Sequence, residues 1–86
     1  MRIVFDEPKR IANLKKHGLD FADFERFEWS SAVVTTARHI PGASRRYKAA
    51  GWLEGKAVAA IFSLLGTEAV SLISLRPANK KERNQL

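Results

Sequence analysis

Apolar and polar positions change their period several times along the chain. Arg2 to Phe5 alternates and stops at Asp6, which predicts a short first strand. Asp6 suits a helix N-cap, and Pro8 suits a first turn whose amides have no helical acceptor. Lys15, Lys16 and His17 then sit near a negative dipole end, and Gly18 supplies the left-handed stop. A first helix to about His17 follows, with Ile11 and Leu14 as its narrow apolar stripe. Asp20 reads as a second N-cap, and Phe21, Phe24 and Phe27 recur at three-residue spacing through Trp29, predicting a second helix that covers an apolar sheet face. Ala32 to Thr36 is rich in β-branched residues and predicts a strand, and Arg38 to Ser44, holding Pro41 and Gly42, predicts a loop.

From Ser44 to Arg83 the period becomes two, in runs separated by Glu54-Gly55 and Gly66-Thr67, pairs that favour two-residue hairpin turns. Pairing Leu53 with Lys56, and Leu65 with Glu68, assigns every side chain to a face. One face collects Arg46, Lys48, Ala50 and Trp52, then Ala57, Ala59, Ile61 and Ser63, then Val70, Leu72, Ser74 and Arg76. The other, from Tyr47 and Leu53 through Phe62 to Leu75, is mostly apolar and needs a cover. In the row nearest the first turn, Trp52 and Arg76 are expected to flank Ala57. Pro77 ends the last strand, and Asn79 caps a short charged helix through Lys80, Lys81, Glu82 and Arg83, marginal unless docked. The expected fold is α+β: a strand, two helices, then an antiparallel β-meander with a short C-terminal basic helix, one sheet face covered and the other partly open.

Eighty-six residues make a single domain, 1–86, and 45% hydrophobic with 28% charged residues is a globular composition. Fifteen Lys and Arg against nine Asp and Glu give a net charge of +6, which favours a polyanionic or acidic partner. The absence of cysteine excludes disulfides and thiolate zinc sites and favours a reducing cytoplasm. No apolar run approaches the ~20 residues that span a membrane, and the first residues lack a signal-peptide pattern. The open face then gains a chemical meaning, because an aromatic beside guanidinium and ammonium groups suits a base and a phosphate.

The opening FDEPKRIANLKKHGLDFADFERF, the central RRYKAAGWLEGKAVAAIF and the closing LISLRPANKKER together resemble the BrnT family of type II toxins. Their order and spacing carry the resemblance, which spans nearly the whole chain. It implies one toxin domain with a RelE-like ribonuclease fold and an endoribonuclease activity that arrests translation by cutting RNA. It also implies a cognate BrnA-like antitoxin with a ribbon-helix-helix portion, and contact with operator DNA only through the toxin–antitoxin complex.

Cutting RNA without metal requires attack by the 2′-hydroxyl, a proton acceptor, a proton donor for the leaving oxygen, and cations for the developing charge. Arg76 is the first candidate, since its fork binds two phosphate oxygens at once, followed by Arg46 and Lys48. Trp52 is expected to stack on a base and Ser74 to bond a phosphate or orient Arg76, while Lys80, Lys81 and Arg83 add phosphate attraction. Glu54, at the hairpin tip, is a candidate proton acceptor. His17 suits a structural role at a helix end, and His39 lies in the loop before the meander, within reach of the open face. Each cation also has a plainer reading as solvated strand edge or tail. No cofactor or metal is expected, because Asp6, Glu7, Asp20 and Asp23 read as helix caps and first-turn acids. The competing function is a non-catalytic basic module that acts only with its antitoxin as a DNA-binding co-repressor. An antitoxin is expected to cover Val70, Leu72 and Trp52 together with Arg76.

Overall fold

The computed structural model describes residues 2–37, 41–42 and 45–86. His39 and most of the expected loop Arg38 to Ser44 lie outside the described residues. The chain runs through β1 (Arg2–Val4), α1 (Glu7–His17), 3₁₀ segments at Phe21–Arg26 and Trp29–Ser31, β2 (Val33–Thr36), β3 (Arg46–Leu53), β4 (Lys56–Leu65), β5 (Ala69–Pro77) and α2 (Lys80–Arg83). The strands form one five-stranded sheet in the order β1-β5-β4-β3-β2. β1 is parallel to β5 and every other pairing is antiparallel, so the domain is α+β with a mixed sheet. Among the described residues, no helix is long and apolar enough to cross a membrane.

The first hairpin has the expected register, with Leu53 opposite Lys56 and positive φ angles of 49° and 81° at Glu54 and Gly55. The second departs from expectation twice. Leu65 pairs with Ala69 rather than Glu68, so the loop is three residues long, Gly66 to Glu68. Phe62 then pairs with Leu72 but Ile61 with Ser74, leaving Ile73 as an extra residue in a β-bulge. A one-residue slip exchanges the faces of the residues that follow it. Val70 and Leu72 therefore stand opposite Leu64 and Phe62 on the covered face and are buried in the core, correcting their expected place on the open face. The bulge reverses the slip, and Ser74 and Arg76 return to the face that carries Lys48. Arg76 stands opposite Ala59, not Ala57.

The covered face packs against an aromatic layer. Phe21, Phe24 and Phe27 join Leu53, Val58, Phe62, Leu72 and Leu75 in the core. Phe24 stacks on Phe27 at 4.7 Å between ring centroids, and Trp29 meets Phe62 edge-on at 5.5 Å. The expected second α-helix is instead two short 3₁₀ segments, interrupted at Phe27, whose backbone is extended and bridges Leu53. A 3₁₀ helix has three residues per turn, so three-residue spacing stacks the phenylalanines on one side. Gly51 gives Phe27 its room, because a Cβ there would lie 2.7 Å from Phe27 Cζ.

Helix α1 has the expected ends: Asp6 accepts a hydrogen bond from the Lys9 N–H, Pro8 lies in the first turn, and Gly18 takes φ 72°. Its buried side is not the expected stripe. Ile11 and Leu14 are exposed, whereas Asn13 is buried. β1 pairs only with Ala69 to Ser71, so the outer edge of β5 beyond them has no strand partner in β1. The Asn13 side chain supplies one: Leu75 N–H donates to Oδ1 at 3.1 Å, and Nδ2 donates to the carbonyls of Leu75 at 2.8 Å and Leu19 at 3.0 Å. A polar helix face docks there because a strand edge needs donors and acceptors.

Candidate functional site

Three neighbouring rows cross the central strands on the face away from the aromatic layer. Arg46, Ser63 and Ser71 form one, Lys48, Ile61 and Ser74 the next, and Ala50, Ala59 and Arg76 the third. Trp52 and Ala57 follow, and the backbone N–H of Ala78 donates to the Ala57 carbonyl. The predicted residues Arg46, Lys48, Trp52, Ser74 and Arg76 therefore share one face, although Trp52 and Arg76 stand in adjacent rows. Ala50 and Ala59 are fully buried despite lying on this face, and α2 packs against β3.

Docking of α2 turns Glu82 inward. Asn79 caps the helix through a reciprocal capping box: its side chain accepts from the Glu82 N–H at 2.8 Å, and Glu82 accepts from the Asn79 N–H at 2.9 Å. The same carboxylate receives both arms of the Arg76 fork, Nη1 to Oε1 at 2.7 Å and Nη2 to Oε2 at 2.9 Å. Lys48 Nζ lies 2.9 Å from Oε2. Glu82 is 2% exposed, and these partners satisfy both carboxylate oxygens, which resolves the cost of burying a charge. The Arg76 hydrogen bonds, with help from the Asn79 N–H and Lys48, outweigh burial and hold its carboxyl down at about 2. Glu82 in turn raises the Arg76 pKa. At neutral pH the cluster is two cations around one anion, with a net positive charge.

The other predicted residues divide into neighbours and outsiders. Arg46 lies one row beyond Lys48. Ser74 also lines a cleft of about 250 Å³ with Lys9, Lys16 and His17 of α1, placing His17 beside the site's edge rather than against Arg76. Lys80, Lys81 and Arg83 are exposed on α2, and Arg83 also secures that helix by donating to the Ala78 carbonyl at 2.8 Å. Glu54 is not brought to the cluster: it pairs with Arg26, which also binds Asp23 at 2.7 Å. At ~3.3 Å per residue, Glu54 is about 13 Å along the strand from the row of Arg76. A larger cleft, about 450 Å³, is lined by Arg2, Ile3, Phe24, Glu25 and Trp29 and contains none of the predicted residues. The predicted cations gather at the charged cluster, not at this hollow.

Sequence reasoning missed Glu82, the residue that organises the cluster. Its local signal was the Asn79-x-x-Glu82 spacing of a capping box, but nothing in a run of Lys, Lys, Glu and Arg marks the glutamate as inward-facing. The arrangement is suited to binding an anion with a dispersed charge, because a guanidinium and an ammonium converge while 31% of each side chain stays exposed.

A family model described as the ribonuclease toxin BrnT of a type II toxin–antitoxin system matches residues 5–82. Among solved structures, the 1.1 Å crystal structure of the Brucella abortus ribonuclease toxin BrnT is similar to the chain at 46% identity and a TM-score of 0.71. That similarity covers 93% of this chain and 99% of the Brucella chain. No curated protein matches.

Proposed function

The chain belongs to the BrnT family of ribonuclease toxins of type II toxin–antitoxin systems, and from that premise we propose that it is a metal-independent endoribonuclease whose working face is built around Lys48 and Arg76. The ribose 2′-hydroxyl attacks the adjacent phosphorus, its proton passes to an acceptor, and the bond to the 5′-oxygen breaks as that oxygen takes up a proton. The products are a 2′,3′-cyclic phosphate and a 5′-hydroxyl end. Negative charge gathers on the non-bridging phosphate oxygens as the nucleophile adds, and Arg76 and Lys48 stabilise it there. Removing one well-placed donor of this kind typically costs ~10²-fold or more in rate.

The observation that carries this reading is the convergence of Lys48 and Arg76 on one carboxylate while both remain open to solvent. Arg46 and Trp52, in the flanking rows, extend the face towards the next phosphate and a base. Stacking on such an aromatic is worth ~1–3 kcal/mol per base. Ser74 contributes a hydroxyl to the phosphate, and Lys80, Lys81 and Arg83 attract the RNA backbone without reading its sequence. Glu82 is not the proton acceptor, since a carboxylate held at about 2 is a weak base and its oxygens are already occupied. The acids near α1 have other partners, Asp6 at the helix cap and Asp20 on Arg10 and the Ala22 N–H, which supports chemistry without a metal.

The remaining parts of the proposal follow the family resemblance: a RelE-like fold, arrest of translation in the cytoplasm, and neutralisation by a BrnA-like ribbon-helix-helix antitoxin through which the complex reaches operator DNA. An RNA carrying a 2′-deoxynucleotide at the cut position tests the reaction. Cutting should vanish while most binding persists, and Arg76→Ala should relieve growth arrest in a protein that remains folded by circular dichroism. Purified protein that cuts neither free nor ribosome-bound RNA would sink the catalytic reading in favour of the co-repressor.

A further inference from the structure

We infer that Glu82 is a positioning residue, holding Arg76 and Lys48 in the relative placement at which one phosphate meets both cations. The inference rests on the endoribonuclease reading and adds a residue from α2 to it. Lys80, Lys81 and Arg83 are exposed, so Glu82 is the residue of this helix that turns into the protein. Arg76 Nη2 and Lys48 Nζ each approach Glu82 Oε2 at 2.9 Å, which keeps the two nitrogens within about 6 Å of each other. Neither cation is held in this way by another carboxylate among the described residues. A guanidinium on one strand and a flexible ammonium two strands away otherwise have no reason to share a target. Preorganised donors stabilise developing charge without having to reorient during the reaction.

The position of Glu82 also separates support from obstruction. A carboxylate competing with substrate would occupy the solvent side of the cations. Glu82 is 2% exposed, whereas Arg76 and Lys48 each keep 31% of their side-chain surface, so the carboxylate lies on their protein side. A four-residue helix is not stable by itself, and its docking depends on contacts such as these. Helix α2 is therefore a component of the proposed site.

The test compares cleavage kinetics of wild type, Glu82→Gln, Arg76→Ala and the double variant, with folding followed by near-ultraviolet circular dichroism and the active fraction counted by titration with a 2′-deoxy oligonucleotide. Glu82→Gln should lower kcat at least tenfold while KM stays level or falls, because removing the anion strengthens ground-state attraction for phosphate as it releases the two cations. The double variant should be slower than Arg76→Ala by clearly less than the factor that Glu82→Gln costs on its own, since the share of that cost that passes through Arg76 is already lost and only the share through Lys48 remains. General misfolding would instead slow both backgrounds equally. If Glu82→Gln does not fold, Glu82→Asp replaces it, keeping the charge but withdrawing it by one methylene, with lowered kcat and steady KM again expected. A kcat within twofold of wild type in the folded variant, or full additivity with Arg76→Ala, overturns the positioning role and leaves the ribonuclease reading intact. A wild-type protein that cuts no RNA overturns both.

Discussion

Acid should erase the difference in stability between wild-type protein and Glu82→Gln. The Glu82 carboxyl is held at about 2, against 4.5 for the free side chain. A tenfold change in a proton-binding constant corresponds to ~1.36 kcal/mol, so the folded state favours the ionised form by about 3 kcal/mol. Because the folded value is the lower one, this contribution is complete above about pH 5 and is lost as pH falls through the interval towards 2. Glutamine resembles a permanently protonated glutamate in size and lacks the charge that Arg76 and Lys48 bind. Wild type should therefore exceed Glu82→Gln by about 3 kcal/mol at pH 7, and by about half that at pH 3. Urea denaturation followed by tryptophan fluorescence at several pH values, with m required to match between the proteins, measures the gap. Glu7 and Asp20 also have lowered pKa values, from Arg10 and from the Ala22 N–H respectively, but they are common to both proteins and cancel in the difference. A gap that stays constant from pH 7 to pH 3, or no gap at pH 7, would refute the assignment of the buried charge.

Asn13→Ala should cost roughly 2–4 kcal/mol in a denaturant melt, because it leaves the N–H and C=O of Leu75 without their side-chain partner at a buried edge. A loss below about 1 kcal/mol would show that water replaces the amide. Gly51→Ala should cost roughly 1–3 kcal/mol by thermal unfolding, since the new methyl meets the Phe27 ring, and a neutral result would mean that the ring yields. Replacing Lys80 and Lys81 together by alanine should flatten the dependence of log affinity for RNA on log salt by up to ~1.4, or ~0.7 for each single-strand phosphate that is no longer neutralised. An unchanged slope would remove the tail from the substrate path.

The parts of the fold legible in the sequence were those with local causes. Asp6 and Gly18 delimit α1 because capping requires nothing beyond the helix itself, and Glu54-Gly55 sets the first hairpin because the turn determines the register. Gly66-Thr67 looked equivalent, but the pairing begins one residue later, and only tertiary pairing reveals the compensating bulge at Ile73. The two departures cancel at Ser74 and Arg76, which is why the candidate face survived, and do not cancel at Val70 and Leu72, which proved to be core. Ile11 and Leu14 misled for a different reason. Helical periodicity identifies an apolar stripe, but α1 packs against a strand edge whose need for hydrogen bonds favours Asn13. The phenylalanine spacing was informative about which side faces the core and was assigned to the wrong helical period.

The site itself was half legible, because formal charge identifies cations without revealing what allows them to converge. Arg76 Nη2 and Lys48 Nζ, each 2.9 Å from the same oxygen, are close enough to repel each other. At about 6 Å and an effective dielectric constant near 20, the repulsion is about 3 kcal/mol, reduced where the ends are solvated. Two strands bearing these residues would therefore tend to splay the side chains apart if nothing lay between them. Glu82 offsets that repulsion, yet it belongs to neither strand and comes from a helix too short to form on sequence propensity alone. On the proposed reading, the two cations share a target only when α2 folds onto this face. The +6 charge that makes the chain attractive to RNA and the buried Glu82 carboxylate that arranges two of its cations thus act at different levels, one on approach and the other on geometry.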